Sequence, residues 1–523
     1  MMVVQTIHHR ENAMDAFITK HSEKITGTLS CFDRVLFKGY LPIRDPKSMA
    51  MFLYRRGLLL KDFKGFVTRC SAEVKQHAVK LAERTKRPFI YLTSSPRKED
   101  RAREIAKRDG ITEGLVCVFS IVEQAQSFKL CYGKDKPKLA AAWPRCLCLY
   151  FYYIDRDFGL IHIRLQTWFP FVIQVYVNGH EWLARRMDRH GVTYEKIENA
   201  FRTLGDPARA QRFADHFMRL NWPRLLDVFA RRVNPHLGKL LAGMGYYWVI
   251  DQAEYATDLL FRDCASLRGL YPNLLKHATV CFSAEDVMTF LGRKLYGHFQ
   301  GDVRNEFTRR WPGARVKHRM KGNWIKMYDK HGCVLRVETV INHPHEFRVR
   351  RQGIRRGRKV VDWFPMAKRV TNLWRYAEVA LAANRRYIEA LSVVDDPTAS
   401  YRLLDQICEP VTRNGRRYRA LNPLAPRDLQ LFLSVLRGEH FLHGFQSRDF
   451  AQGLACPKPS SPGQRRSLAA RLNRLLRLLR AHGLIAKIPH TRHYRPTLRG
   501  VTFMTAIIHL RKEDLPATMK LTG

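Results

Sequence analysis

The segment QRRSLAARLNRLLRLLR, residues 464–480, is where the reading of the fold starts. Leu468, Leu472, Leu475, Leu476 and Leu479 recur at helical spacing, so they share one face of an amphipathic helix. Arg465, Arg466, Arg471, Arg474, Arg477 and Arg480 occupy the remainder, with no Asp or Glu among them. Gly483 stops the helix. Leu484–Ile488 then reads as a strand, Pro489–His493 as a basic turn and Tyr494–Thr497 as a second strand. The order is helix, strand, turn, strand.

Upstream of this segment, Asn422–Pro426 leads into a helix from Arg427 to Leu436. Ser447 is placed to cap a second short helix, and Val501–Leu510 closes the unit. Three helices and a hairpin in this order resemble a winged helix-turn-helix domain of the MarR-like kind. Tyr494-Arg495-Pro496-Thr497-Leu498-Arg499-Gly500 is similar to the Y-x-L-T-x-x-G ending of those wings, with Pro496 in place of the Leu. The resemblance implies that residues 421–523 form a DNA-binding unit whose third helix enters the major groove. Arg465, Arg466, Arg471, Arg474 and Arg477 would then meet phosphates and base edges. Arg492 and Arg495 would reach the backbone or minor groove. The plainer alternative is a helix used for protein contacts. Six Arg without an acid on that helix argue against it.

Composition points the same way. Of 523 residues, 46% are hydrophobic, which fits a globular chain of two to four domains. Lys+Arg number 91 against 47 Asp+Glu, a net charge of +44. Such an excess repels itself unless a polyanion neutralises it, and nucleic acid does so with release of counterions. Eleven Cys sit at irregular spacings without a CxxC pair. The first twenty residues do not read as a secretory signal, and no apolar run is long enough to span a membrane. The expectation is a cytoplasmic, nucleoid-associated protein with reduced thiols.

The body reads as α+β or α/β, a mixed sheet with helices. Residues 1–145 suggest an α/β domain: strands at 29–40, 87–93 and 114–123, helices at 48–84 and 97–108. Residues 146–394 read as a mixed α+β domain. It opens on LCLYFYYIDRDFGLIHIRLQTWFPFVIQVYV (147–177), whose aromatic residues fit sheet core better than a base-stacking platform. Further strands are expected at 246–261 and across 314–350. Arg348–Lys359 reads as a basic loop, with Arg350, Arg355, Arg356 and Arg358 available to nucleic acid. Residues 395–420 read as a basic linker, and Pro457–Gly463 as a hinge.

One central motif carries chemistry. Asn323-Trp324-Ile325-Lys326-Met327-Tyr328-Asp329-Lys330 and Val334-Leu335-Arg336-Val337-Glu338 fit two strands joined at His331-Gly332. Lys326, Tyr328 and Lys330 alternate onto one face, Arg336 and Glu338 onto one face of the partner. A Tyr hydroxyl can attack a phosphodiester, and Lys and Arg can lower its pKa and steady the transition state. A carboxylate can hold Mg²⁺ or Mn²⁺. Glu254 and Asp258, on one face of their strand, are candidate ligands beside Glu338. The plainer alternative is a basic hairpin with an Arg–Glu pair that touches only DNA backbone. The pattern K-x-Y-D-K … L-R-V-E resembles strands in rolling-circle replication initiators. That resemblance implies DNA nicking with Tyr328 as nucleophile. Its usual His-hydrophobic-His metal pair has no good counterpart: His162-Ile163-Arg164 and His343-Pro344-His345 both depart from it. His180-Glu181 is not followed by the second His of an HExxH site. No phosphate loop or zinc spacing occurs, so neither ATP nor zinc is expected.

The phrases RLQTWFPF (164–171), NGHEWLARRMD (178–188), EYATD (254–258) and KMYDK … LRVE (326–338) also resemble a set of uncharacterised bacterial proteins. This implies a bacterial origin and a mobile-element setting. The leading expectation is a sequence-directed DNA-binding protein of the replication-initiator or transposase kind that nicks or joins DNA. The alternatives are a non-enzymatic regulator or architectural DNA-binding protein, and an RNA-binding protein. Oligomeric state stays open.

Overall fold

The computed structural model describes residues 15–509 apart from 94–96, 133–136, 283, 294–302, 310–313, 393, 395–406, 423–424, 437–439, 441–443, 455–458 and 489–490. The first part of the expected linker, the start of the hinge and two residues of the basic turn lie outside the described residues.

The chain begins with α1 (Asp15–Lys20), β1 (Ile25–Tyr40), α2 (Pro46–Tyr54), α3 (Phe63–Arg84), β2 (Phe89–Tyr91), α4 (Lys98–Arg108) and β3 (Gly114–Gln124). A small hairpin, β4 (Ser127–Cys131) and β5 (Lys138–Ala142), precedes β6 (Arg145–Asp155), β7 (Gly159–Gln166) and β8 (Ile173–Asn178). Next come α5 (Gly179–Arg189), a hairpin of β9 (Tyr194–Ile197) and β10 (Ala200–Leu204), α6 (Pro207–Phe217), α7 (Trp222–Val233) and β11 (Tyr247–Phe261). The body ends with α8 (Cys264–Val280), α9 (Ala284–Phe290), β12 (Val303–Arg309), β13 (Ala314–Met320), β14 (Asn323–Lys330), β15 (Val334–Ile341), β16 (Arg348–Arg355), β17 (Arg358–Pro365) and α10 (Leu373–Ala390).

Eleven strands form one mixed sheet in the order β12-β13-β14-β15-β11-β1-β8-β7-β6-β3-β2. Only β2 and β3 run parallel, and α4 crosses between them. That βαβ step was legible in the sequence. The third strand of the expected N-terminal domain, β1, instead sits mid-sheet between β11 and β8. The expected boundary at 145/146 therefore falls within a continuous sheet, because β6 pairs with β3. One apolar core runs from Phe17 to Val394 and includes the aromatic run of β6–β8. Helix α10 packs on β11 and β15. There Asn384 donates to the Tyr255 carbonyl and accepts from Thr339 Oγ1 at 2.7 Å. That polar staple ties the helix to the sheet face opposite the charged one described below.

Two stretches read as irregular are hairpins. Arg348–Lys359 is not a loop: β16 and β17 pair antiparallel across Arg356-Gly357, both at positive φ (50° and 77°). Such a turn matches the twist of the strands it joins. In the expected linker, β18 (Val411–Arg413) and β19 (Arg416–Tyr418) pair across Asn414-Gly415, and Ile407 is buried in the C-terminal core. The Asn-Gly dipeptide was the readable signal.

The C-terminal core is separate from that of the body. It is built from α11 (Pro426–Val435), α12 (Ser447–Gly453), α13 (Pro462–Ala481), β20 (Ile485–Lys487), β21 (Tyr494–Pro496) and α14 (Leu498–His509). Leu472, Leu475, Leu476 and Leu479 of α13 are buried with Phe432, Phe450 and Phe503, while Arg465, Arg466, Arg471, Arg474 and Arg477 are exposed. The cap of α12 is Gln446, in a reciprocal box with Asp449, rather than Ser447. Cys264 and Cys333 are paired in a disulfide, against the expectation that all thiols are reduced. No helix among the described residues is long and apolar enough to cross a membrane.

Candidate active site

Strand alternation and register assemble the site. On β11, Glu254, Ala256 and Asp258 face one side. Opposite Ala256 stands Glu338, and opposite Glu338 stands Lys326. The adjacent row is Asp258, Arg336, Tyr328 and Arg315. On β1, the register slips between Phe32 and Arg34, so two residues oppose one on β11. Such a bulge re-aims side chains. It brings both Asp33 and Arg34 to Glu254, within 3.5 Å for Arg34 Nε. Tyr328, Lys326, Glu338, Glu254 and Asp258, expected from separate segments, thus lie on one face of one sheet.

The site has two halves. In the closed half, Arg336 is fully buried and forms a bidentate pair with Asp258, at 2.6 and 2.7 Å. Its second Nη2 bond goes to the Asn199 carbonyl in the β9–β10 turn, at 2.8 Å. His180, fully buried, sits 3.2 Å from Asp33, 3.0 Å from Arg336 Nη2 and 3.4 Å from Cys31 Sγ. It reaches that place because Gly179 lets α5 touch β1; a Cβ there would collide with the Phe32 carbonyl oxygen. Arg336 and Asp258, expected as a phosphate clamp and a metal ligand, form a closed ion pair with each other, because register sets them opposite.

In the second half, Asp33, Glu254 and Glu338, all buried, each present a carboxylate oxygen within 4.8 Å of the others. Asp33 takes the place expected of Asp258. Lys326 Nζ lies 2.8 Å from Glu338 Oε1 and 3.5 Å from Glu254 Oε2. Tyr328 Oη donates to Glu338 Oε2. Arg34, half exposed, pairs with Glu254 at 3.5 Å, and Gln252 donates to Glu254 Oε1 at 2.6 Å. Lys330 follows Tyr328 on the same strand face.

The electrostatics follow from this packing. Burial and the adjacent Glu338 carboxylate push Glu254 up to about 8. Burial acts most strongly to raise Glu338, but the charge of the Lys326 ammonium and the hydrogen bonds from Lys326 and Glu254 together hold its carboxyl below the usual range. Asp33 is held low despite its burial, by His180 and Arg336. Burial and Glu338 raise the Tyr328 phenol well above its usual value, against the expectation that Lys and Arg would lower it. Desolvation outweighs Arg336, which is already neutralised by Asp258. Tyr328 is thus a neutral phenol that donates its hydrogen bond to the Glu338 carboxylate.

Three all-oxygen carboxylate donors fit a hard divalent cation such as Mg²⁺ or Mn²⁺. A dication would also relieve the repulsion between Glu254 and Glu338. Asp33 and Arg34 were missed in the sequence, and His180 was legible there only as part of an incomplete HExxH site. Asp33 in the apolar run LSCFDRVLF was the available signal, since a carboxylate inside a buried strand needs a partner. The other residues singled out from the sequence are spread over the molecule. Arg350, Arg355, Arg356 and Arg358 are exposed on β16–β17, and Arg492 is exposed beyond β20. Arg495 is not free for DNA: it pairs with the buried Glu285 of α9 and ties the C-terminal unit to the body. His343 and His345 are exposed, and His162 is stacked on Tyr176 at 4.9 Å.

Comparison with known proteins found no family model, curated protein or solved structure that matches this chain.

Proposed function

We propose that the chain is a divalent-metal-dependent DNA-nicking or strand-transfer protein of the replication-initiator or transposase kind. The observation that carries this reading is the meeting of Asp33, Glu254 and Glu338 with Lys326 and Tyr328 on one sheet face of a chain with net charge +44. Mg²⁺ or Mn²⁺ held by the three carboxylates would supply Lewis-acid charge at the scissile phosphate. Tyr328 Oη attacks phosphorus and its proton passes to Glu338 Oε2. The scissile P–O bond breaks, and the leaving deoxyribose oxygen takes a proton from the Lys326 ammonium. The product is a phosphotyrosine link that a second strand end or water can resolve. Arg34, half exposed beside Glu254, steadies the phosphate.

The C-terminal unit is read as a winged helix that selects the DNA site. The order of α11, the bridge at Phe445, α12, α13 and the β20–β21 hairpin supports this reading. So does the exposed arginine face of α13. A mobile-element setting in a bacterial cytoplasm is part of the same proposal.

The test is nicking of supercoiled plasmid in Mg²⁺ or Mn²⁺. Tyr328→Phe and Glu338→Gln are each expected to lose about a thousandfold or more of activity, as loss of a nucleophile or its proton acceptor does. Nicking by Tyr328→Phe at the parent rate would sink the nucleophile assignment. Absence of cleavage with any divalent metal, with DNA binding intact, would favour the non-enzymatic binding protein.

A further inference from the structure

The β16–β17 hairpin stands out from the sheet and leaves much of both faces uncovered. The chain enters it at Arg348, ten residues beyond Glu338 of β15. Its register sorts the side chains into two faces. One face is braced at its base. Val349 is buried, Arg351 lies 4.6 Å over the Phe364 ring, and that ring covers Gly353 so closely that a Cβ could not fit. The root is tied to α10 by Arg375, which donates to the Arg348 carbonyl at 2.8 Å and lies 5.0 Å over Trp363.

The opposite face mixes apolar and cationic side chains: Ile354, Val361 and Trp363 share it with Arg348, Arg350, Gln352 and Lys359. Ile354 is 70% exposed, Val361 62% and Trp363 47%. They are contiguous: Val361 and Trp363 alternate along β17, and Ile354 lies diagonally across from Val361. Large apolar residues clustered on a thin ribbon mark a contact surface. Charge names the partner. Residues 348–359 carry seven Arg/Lys, and the one acid of the hairpin, Asp362, is already paired with Arg355. A protein surface acidic enough to answer that charge would still leave the apolar strip needing a slot to enter. A nucleic acid duplex offers both features, phosphates on either side of a groove and stacked base pairs that can part.

We propose that the hairpin is a DNA-deforming ribbon. It lies along a duplex groove, its arginines reach the flanking phosphates, and Ile354, next to the turn, wedges between base pairs. The local unstacking frees a single strand. This rests on the reading of the chain as DNA-binding, but not on its cleaving DNA. Two strands braced by Phe364 and Arg375 are rigid enough to transmit the cost of unstacking. The positive-φ turn at Arg356-Gly357 presents cations at the tip without adding bulk.

The experiment uses the full chain in EDTA, so that no cleavage occurs, with duplexes carrying 2-aminopurine at successive positions. The parent is expected to raise 2-aminopurine fluorescence severalfold at one or two adjacent steps. Ile354→Ser, at an exposed position, is expected to bind within about threefold of the parent yet lose most of that rise, because the wedge and not the phosphate contacts is removed. Arg350→Gln/Arg358→Gln is expected to bind at least tenfold more weakly and to lower the salt slope by about 0.9 for each lost phosphate contact. An unchanged fluorescence signal in Ile354→Ser overturns the wedge. Unchanged affinity in the double Arg variant overturns the ribbon as a DNA contact and leaves a protein partner in its place. Either outcome can occur whether or not the parent nicks plasmid, so failure here is separable from failure of the catalytic reading.

Discussion

Asp258 and Arg336 show how strongly a buried ion pair can depend on both of its members. Both are buried, and two hydrogen bonds of 2.6 and 2.7 Å join them. Removing one partner leaves the other charge in a medium that cannot solvate it. Asp258→Ala is expected to destabilise the body by about 3–5 kcal/mol, read from urea unfolding. The double variant Asp258→Leu/Arg336→Met should recover a large part of that loss, since apolar replacement of a whole buried pair is often tolerated. If Asp258→Ala unfolds at the parent midpoint, the pair is not the anchor of the closed half. At this scale the sequence was informative about residue type and face. Lys326, Tyr328 and Glu338 were legible because a period of two puts alternate residues on one side. Which carboxylate completes the triad was not legible. Asp258 is consumed by Arg336 and Asp33 replaces it, and that choice depends on which strands become neighbours.

Helix α13 is the element whose two faces were readable throughout. Its leucines are buried and its arginines exposed, as helical periodicity requires. Arg474→Gln lies on the exposed face, so melting of the C-terminal unit should be unchanged. Duplex affinity is expected to fall and the salt slope to shrink by about 0.9, the signature of one lost phosphate contact. A parent-like slope would remove Arg474 from the DNA surface. Elements held mainly by turn chemistry were harder to see. The β16–β17 and β18–β19 hairpins look like basic, irregular sequence because their strands are charged and exposed. Only the residues at positive φ in their turns disclose them. Arg495 carries a similar lesson in reverse. Its place in the β20–β21 hairpin was readable, but its pairing with Glu285 belongs to the packing of the C-terminal unit on the body.

Across the whole molecule, charge and fold pull against each other. A net charge of +44 on one chain costs stability through self-repulsion that salt screens. Melting temperature is therefore expected to rise between low and moderate NaCl, while DNA affinity falls over the same range. A melting temperature that falls as salt is added would mean that ion pairs, not repulsion, dominate the electrostatics. The sequence by itself determined the globular character, the nucleic-acid-compatible charge, the amphipathic α13 and the strand faces of β11, β14 and β15. All of these are local or summed properties, set by composition and by the periods of helix and strand. Only the tertiary structure decided that a single sheet runs through both expected body domains. It also decided that a bulge in β1 turns Asp33 toward Glu254 and Glu338, and that Arg336 is closed off by Asp258 and His180. Those facts depend on register between strands far apart in sequence, and register is set by the packing of the whole sheet rather than by any one segment.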